Sequence, residues 1–123
     1  MKPTLVIVDD FENTLFVIEF TLWQNDFQIL KAENGAEALR YFDGRQIDLL
    51  ITDLNMPDLN GIELTKQVRL LPQYKRIPVL MLTSEKDAKK KQEALNSGVT
   101  AIVQKPFERE EFIKTVKRAL NLF

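Results

Sequence analysis

Four short apolar runs punctuate the chain, and each ends in polar residues. Leu5-Val6-Ile7-Val8 leads into Asp9-Asp10, Leu49-Leu50-Ile51 into Thr52-Asp53, Val79-Leu80-Met81-Leu82 into Thr83-Ser84, and Ala101-Ile102-Val103 into Gln104-Lys105. Uninterrupted aliphatic runs of this length suit strands covered on both faces, as in a parallel sheet. Residues 27–32 mix polar and apolar side chains, which suits an edge strand.

Between these runs the apolar residues fall at helical spacing. Residues 12–25 predict a first helix with Leu15, Ile18 and Leu22 facing the sheet; Phe16, Phe20 and Trp23 form a second stripe, read as a broadened core face rather than a docking surface. A short helix over 36–42 buries Ala38, Leu39 and Phe42. A third over 61–71 carries Ile62, Leu64, Val68 and Leu71, and ends at Pro72. A fourth over 86–97, with Ser84 as its expected cap, closes at Gly98. The last, over 108–121, turns Phe112, Val116, Ala119 and Leu120 inward. Five strands alternating with five helices predict an α/β doubly wound fold, one domain spanning 1–123 with helices on both faces of the sheet.

Open parallel sheets bind ligands beyond the carboxyl ends of their strands. Asp9, Asp10, Asp53, Thr83 and Lys105 all fall at such ends, where acidic groups, a hydroxyl and an ammonium would together suit a cation and a phosphate. Taken singly, each has a plainer explanation: Asp9, Asp10, Thr83 and Ser84 as helix caps, Asp53 in an Asx turn, Lys105 as a surface lysine. Four such coincidences at four neighbouring strand ends favour a site.

Composition narrows the chemistry. The 123 residues carry a net charge of −1, 45% apolar and 28% charged side chains, with no cysteine and no histidine. Disulfides, zinc sites, cysteine nucleophiles and Ser-His-Asp triads are therefore excluded. No apolar stretch reaches membrane-spanning length and no secretory signal precedes the first strand, so a cytoplasmic protein is expected. Lys86, Lys89, Lys90 and Lys91 read as a solvated face. Without interleaved aromatics or overall positive charge, no direct nucleic-acid binding is expected.

Asp9-Asp10, Asp53 with Leu54-Asn55-Met56-Pro57 and Gly61, Thr83-Ser84, and Lys105-Pro106-Phe107 together resemble the receiver domain of two-component response regulators, over the whole chain and in the manner of stand-alone chemotaxis regulators. The resemblance implies a flavodoxin-like sheet of order 2-1-3-4-5. It also implies that Asp53 is the phosphoacceptor, taking a phosphoryl group from a sensor histidine kinase or histidine phosphotransfer protein. Mg²⁺ (or Mn²⁺) would be held by Asp10, Asp53 and the backbone carbonyl of Asn55, with Asp9 acting through a water. Thr83 and Lys105 would contact phosphoryl oxygens, Ser84 would offer its backbone N–H, and Pro106 would follow a cis peptide bond.

Further roles come from the same resemblance. Asn55 and Glu85 occupy the positions that tune acyl-phosphate lifetime, and as a polar pair able to orient water they imply loss within seconds to minutes. Ile102 departs from the family, many of whose members carry an aromatic switch residue there. The kinase would dock beside the first helix, at Phe11, Phe16 and Trp23. Output to an unidentified protein target would use the fourth helix, the fifth strand and the last helix. Since no DNA-binding or catalytic segment follows residue 121, a stand-alone signalling domain is expected, with only self-phosphorylation and self-dephosphorylation chemistry. Three rivals stand beside it. An aspartyl phosphohydrolase lacks its general acid, since Asn55 occupies that place. A flavin module lacks its phosphate loop, since Asp-Asp-Phe-Glu stands there. A degenerate receiver acting as a phosphorylation-independent scaffold is suggested by Ile102.

Overall fold

Among residues 2–122, which the computed structural model describes, strands and helices alternate in one sheet-centred layer structure. They are β1 (Thr4–Val8), α1 (Glu12–Leu22), β2 (Gln28–Ala32), α2 (Gly35–Leu39), β3 (Leu49–Thr52), α3 (Gly61–Leu70), β4 (Val79–Thr83), α4 (Ala88–Asn96), β5 (Ala101–Gln104) and α5 (Arg109–Ala119). A 3₁₀ turn at Pro72–Tyr74 follows α3. The strands pair in the order β2-β1-β3-β4-β5, parallel throughout, which is the flavodoxin-like arrangement.

Alternation along the strands sorts the apolar side chains into two cores. Leu5, Ile7, Leu49, Ile51, Leu80 and Leu82 pack with Leu15, Ile18 and Leu22 of α1 and with Phe112 and Val116 of α5. Val6, Val8, Leu50, Val79 and Met81 pack on the opposite face with Ala38 of α2, Leu64 and Val68 of α3, and Ala94 of α4. Each Val, Leu, Ile or Met side chain buried this fully contributes about 1.5–3 kcal/mol of transfer free energy. The central strands β1, β3 and β4 are wholly buried, while β2 and β5 at the edges are half exposed.

The second stripe on α1 is not core. Phe16, Phe20 and Trp23 are 64%, 59% and 70% exposed, because Leu15, Ile18 and Leu22 already fill the width that the sheet offers one helix. Helix ends also differ from the sequence reading. Ser84 does not cap α4: the Asp87 carboxylate accepts from the Lys89 N–H at 2.9 Å, so the helix begins two residues late. The first helix stops at Leu22, where the Trp23 N–H turns back to the Phe20 carbonyl. The second stops at Leu39, yet Phe42 stays buried against the edge of Tyr74, with ring centroids 4.9 Å apart. Gly98 closes α4 with φ of +105°, a conformation that glycine adopts freely.

Candidate functional site

The register brings the strand ends together. Val8 lies beside Thr52, and the Asp53 N–H donates to the Val8 carbonyl at 3.1 Å, so Asp9 and Asp53 leave the sheet side by side. The Lys105 N–H donates to the Thr83 carbonyl at 2.8 Å, which carries the β4–β5 ladder one residue further and sets Lys105 at the same edge. The Lys105–Pro106 peptide is cis. Opposite, Asn60 and Glu63 form a reciprocal capping box that fixes the start of α3. Gly61, its first residue, passes so close to Asp53 that a Cβ there would stand 2.1 Å from the Asp53 carbonyl oxygen.

Carboxylate oxygens of Asp9, Asp10 and Asp53 lie within 4.8 Å of one another. Asp9 is almost fully buried and Asp53 nearly so. Lys105 Nζ reaches Asp9 Oδ2 at 2.8 Å and Asp53 Oδ2 at 3.4 Å. The Phe11 N–H donates to Asp9 Oδ1 at 3.0 Å, and the Leu54 N–H to Asp53 Oδ1 at 2.7 Å. Asp10 Oδ1, by contrast, is buried without a hydrogen-bond partner among the described residues. A buried carboxylate oxygen with nothing to accept, beside two more carboxylates, fits a hard divalent cation that takes oxygen ligands. Burial pushes the Asp53 carboxyl above its ordinary value. The Lys105 ammonium opposes this, the Asp9 charge adds to it, and hydrogen bonds from Thr83 and the Leu54 N–H oppose it.

Asn55 and Glu85 meet across the mouth of the site, with Asn55 Nδ2 donating to Glu85 Oε1 at 3.1 Å. Glu85 Oε2 accepts from the N–H groups of Lys86 and Asp87, both at 3.1 Å, and Lys90 Nζ lies 3.4 Å from Oε1. The Asp87 N–H first, then Asn55 and Lys90, hold the Glu85 carboxyl down at about 2. Thr83 is completely buried, and its hydroxyl oxygen accepts from the Glu85 N–H at 3.1 Å. Ser84 is exposed at the rim, in an open groove of about 480 Å³ that Thr14, Val17, Lys105, Pro106 and Phe107 also line. Ile102 is half buried, packed on the α4 side of the sheet. The sequence reading gives Gln104 no role and sets Lys91 on a solvated face; in the structure Lys91 is half buried and its Nζ donates to Gln104 Oε1 at 2.7 Å. The available signal was a polar residue two positions after Ile102, on a face where strand alternation asks for an apolar one.

A five-stranded parallel sheet of this order, with three carboxylates, a buried threonine and a lysine at its carboxyl edge, defines a flavodoxin-like domain with an acidic pocket at the ends of its strands. The chain belongs to the response regulator receiver domain family, whose family model matches residues 5–117. It is therefore a signalling domain of two-component systems. It is 38% identical over 105 residues to the chemotaxis protein CheY1 of Helicobacter pylori, covering 84% of this chain and 85% of that protein. It is 32% identical to the alkaline phosphatase synthesis transcriptional regulatory protein PhoP of Bacillus subtilis, over 98% of this chain and 50% of that one. The crystal structure of Vibrio cholerae chemotaxis protein CheY4 superposes with a TM-score of 0.91 at 37% identity, over 98% of this chain and all of that one. No helix among the described residues is long and apolar enough to cross a membrane.

Proposed function

We propose that residues 1–123 form one receiver in which Asp53 accepts a phosphoryl group from a phosphohistidine on a histidine kinase or phosphotransfer protein. An Asp53 carboxylate oxygen attacks phosphorus as the P–N bond breaks; the imidazole nitrogen keeps the electron pair and takes up a proton, leaving an acyl phosphate. Asp10, Asp53 and the Asn55 carbonyl, with Asp9 through a water, would hold Mg²⁺ or Mn²⁺, which when bound neutralises phosphoryl oxygens. The observation that carries the reading is Lys105 poised between Asp9 and Asp53 beside the unpartnered Asp10 oxygen. Lys105 places positive charge where the phosphoryl oxygens develop negative charge, and Thr83 supplies a hydroxyl donor. The Ser84 backbone N–H would offer a further donor. This complete set of side chains supports phosphorylation over a phosphorylation-independent scaffold, despite Ile102.

Loss of the phosphoryl group follows attack of water on phosphorus, which frees the Asp53 carboxylate and inorganic phosphate. Asn55 and Glu85 stand where that water must pass. Glu85, being so acidic, acts there by orienting the water through a hydrogen bond rather than by removing its proton. The exposed aromatic face of α1, with Phe11, Phe16, Phe20 and Trp23, is the docking surface for the phosphodonor protein in the cytoplasm. The surface of α4, β5 and α5 meets the downstream protein. Incubation with Mg²⁺ and acetyl phosphate followed by intact mass tests the reading. Wild type should gain one phosphoryl group and Asp53→Asn none; a wild type that gains nothing overturns it.

A further inference from the structure

Two neighbouring lysines tie α4 to residues that border the site, and the two ties differ in kind. Lys90 pairs with Glu85 at 3.4 Å from a half-exposed position, and so wet a pair holds weakly. Lys91 donates to Gln104 at 2.7 Å, and both side chains are partly buried. Gln104 precedes Lys105 in the chain and is the register partner of Thr83 on β4. Strand alternation sets both on the face that α4 covers, the face where Met81 and Ile102 pack, so amide and hydroxyl are cross-strand neighbours. The Gln104 Nε2 is buried with no hydrogen-bond partner among the described residues, where a buried amide donor ordinarily finds one. The helix at the other end of this tie is lightly anchored, since Ala94 is the one buried residue of α4.

We propose that Gln104 is a positioning residue that couples Thr83 to α4 through Lys91. This rests on the phosphoacceptor reading of Asp53 and deepens it by naming a route from the site to the helix. Before phosphorylation the amide carbonyl holds Lys91, and the amide N–H goes without an acceptor. When the Thr83 hydroxyl donates to a phosphoryl oxygen, it leaves the Glu85 N–H and offers its own oxygen to the Gln104 amide. The side chain then changes rotamer and Lys91 is released. One arrangement leaves a buried donor unpaired and the other gives up a hydrogen bond to a lysine. These effects are of similar size, so the two states lie close enough for a phosphoryl group to choose between them. With its strongest polar tie gone, α4 opens more readily.

Amide hydrogen exchange on the full chain, with Mg²⁺ and with or without acetyl phosphate, tests this. In wild type the donor should speed exchange over residues 88–96 roughly fivefold, the net scale of one lost hydrogen bond between partly solvated groups. In Gln104→Leu the same segment should exchange roughly fivefold faster without the donor and change by less than about twofold with it. Exchange in α1 and α5, and the extent of Asp53 phosphorylation by intact mass, should match wild type. Lys91→Met reads the same tie from its other end should Gln104→Leu fail to fold. A wild type that gains the phosphoryl group with α4 exchange unchanged overturns this proposal alone, and a wild type that gains none overturns it together with the phosphoacceptor reading. Equal acceleration in all helices of the variants would make the tie a matter of global stability and also overturn it.

Discussion

Replacing Gly61 by alanine sets a methyl group 2.1 Å from the Asp53 carbonyl oxygen and 3.0 Å from both the Asp53 carbonyl carbon and Met81 Cε. Ordinary contact between such atoms needs about 3.5 Å, so the first turn of α3 and the end of β3 must part by roughly 1.4 Å. Met81 can swing aside, but the obstacle at Asp53 is backbone. Overpacking of this kind costs about 1–3 kcal/mol, and the upper half of that range applies where backbone must move. Alanine returns about 0.4–1 kcal/mol by restricting the unfolded chain. The net loss is about 2 kcal/mol, which at a urea slope of about 2 kcal/mol/M lowers the unfolding midpoint by about 1 M. The displacement also falls on the proposed phosphoacceptor: Gly61 donates its N–H to the Leu54 carbonyl at 2.9 Å, so a shift here is felt at the neighbouring Asp53. A 1 Å misplacement of a reacting group lowers rates by about 10²-fold. Urea unfolding followed by fluorescence, and phosphorylation by acetyl phosphate followed by mass, measure the two effects. A variant with the wild-type midpoint and rate would show that α3 does not press on Asp53.

Other outcomes follow from the charges. Lys105→Met leaves Asp9 and Asp53 without their shared cation; such a loss costs up to about 3–5 kcal/mol when buried, and partial exposure of Lys105 brings it to about 2. Its unfolding temperature should fall in chelator and recover with Mg²⁺ by more than wild type does; equal shifts in both proteins would refute this. Asp53 has a folded value raised above 3.8, so its contribution to stability is present below that pH and lost as pH rises through the folded value. In chelator, Asp53→Asn should therefore be more stable than wild type at pH 7, with the advantage fading below pH 3.8; a pH-independent difference refutes it. Glu85 is lowered from 4.5 to about 2, so its contribution is present above 4.5 and lost as pH falls towards 2; Glu85→Gln should flatten that part of the stability curve. Glu85→Leu should change the half-life of phosphorylated Asp53, and an unchanged rate would remove Glu85 from dephosphorylation.

The buried strands were legible because a strand covered on both faces has no choice but to be apolar throughout, and Leu5-Val6-Ile7-Val8 or Val79-Leu80-Met81-Leu82 cannot be mistaken for a surface segment. The polar residues at their ends were legible for the complementary reason: a carboxylate after such a run has to come out somewhere. What periodicity left ambiguous was the choice between two apolar stripes on α1. Leu15, Ile18 and Leu22 repeat with the same period as Phe16, Phe20 and Trp23, and only the width of the sheet decides which is covered. The start of α4 was misplaced because Ser84 and Asp87 are both good caps, and the deciding hydrogen bonds are local geometry. The Lys91 contact to Gln104 and the pressure of Gly61 on Asp53 join segments distant in the chain, and no single stretch of sequence reports them.

The pair formed by Asp9 and Lys105 joins positions 96 residues apart, one at the close of the first strand and the other just past the fifth. Residues 9 to 105 must therefore have been synthesised and folded together before this pair exists. A chain still emerging from the ribosome, or one cut before residue 105, could form most of the sheet and still lack the ammonium that bridges Asp9 and Asp53. The pocket's own cation is in this sense a check on folding, delivered only once the fifth strand is in place.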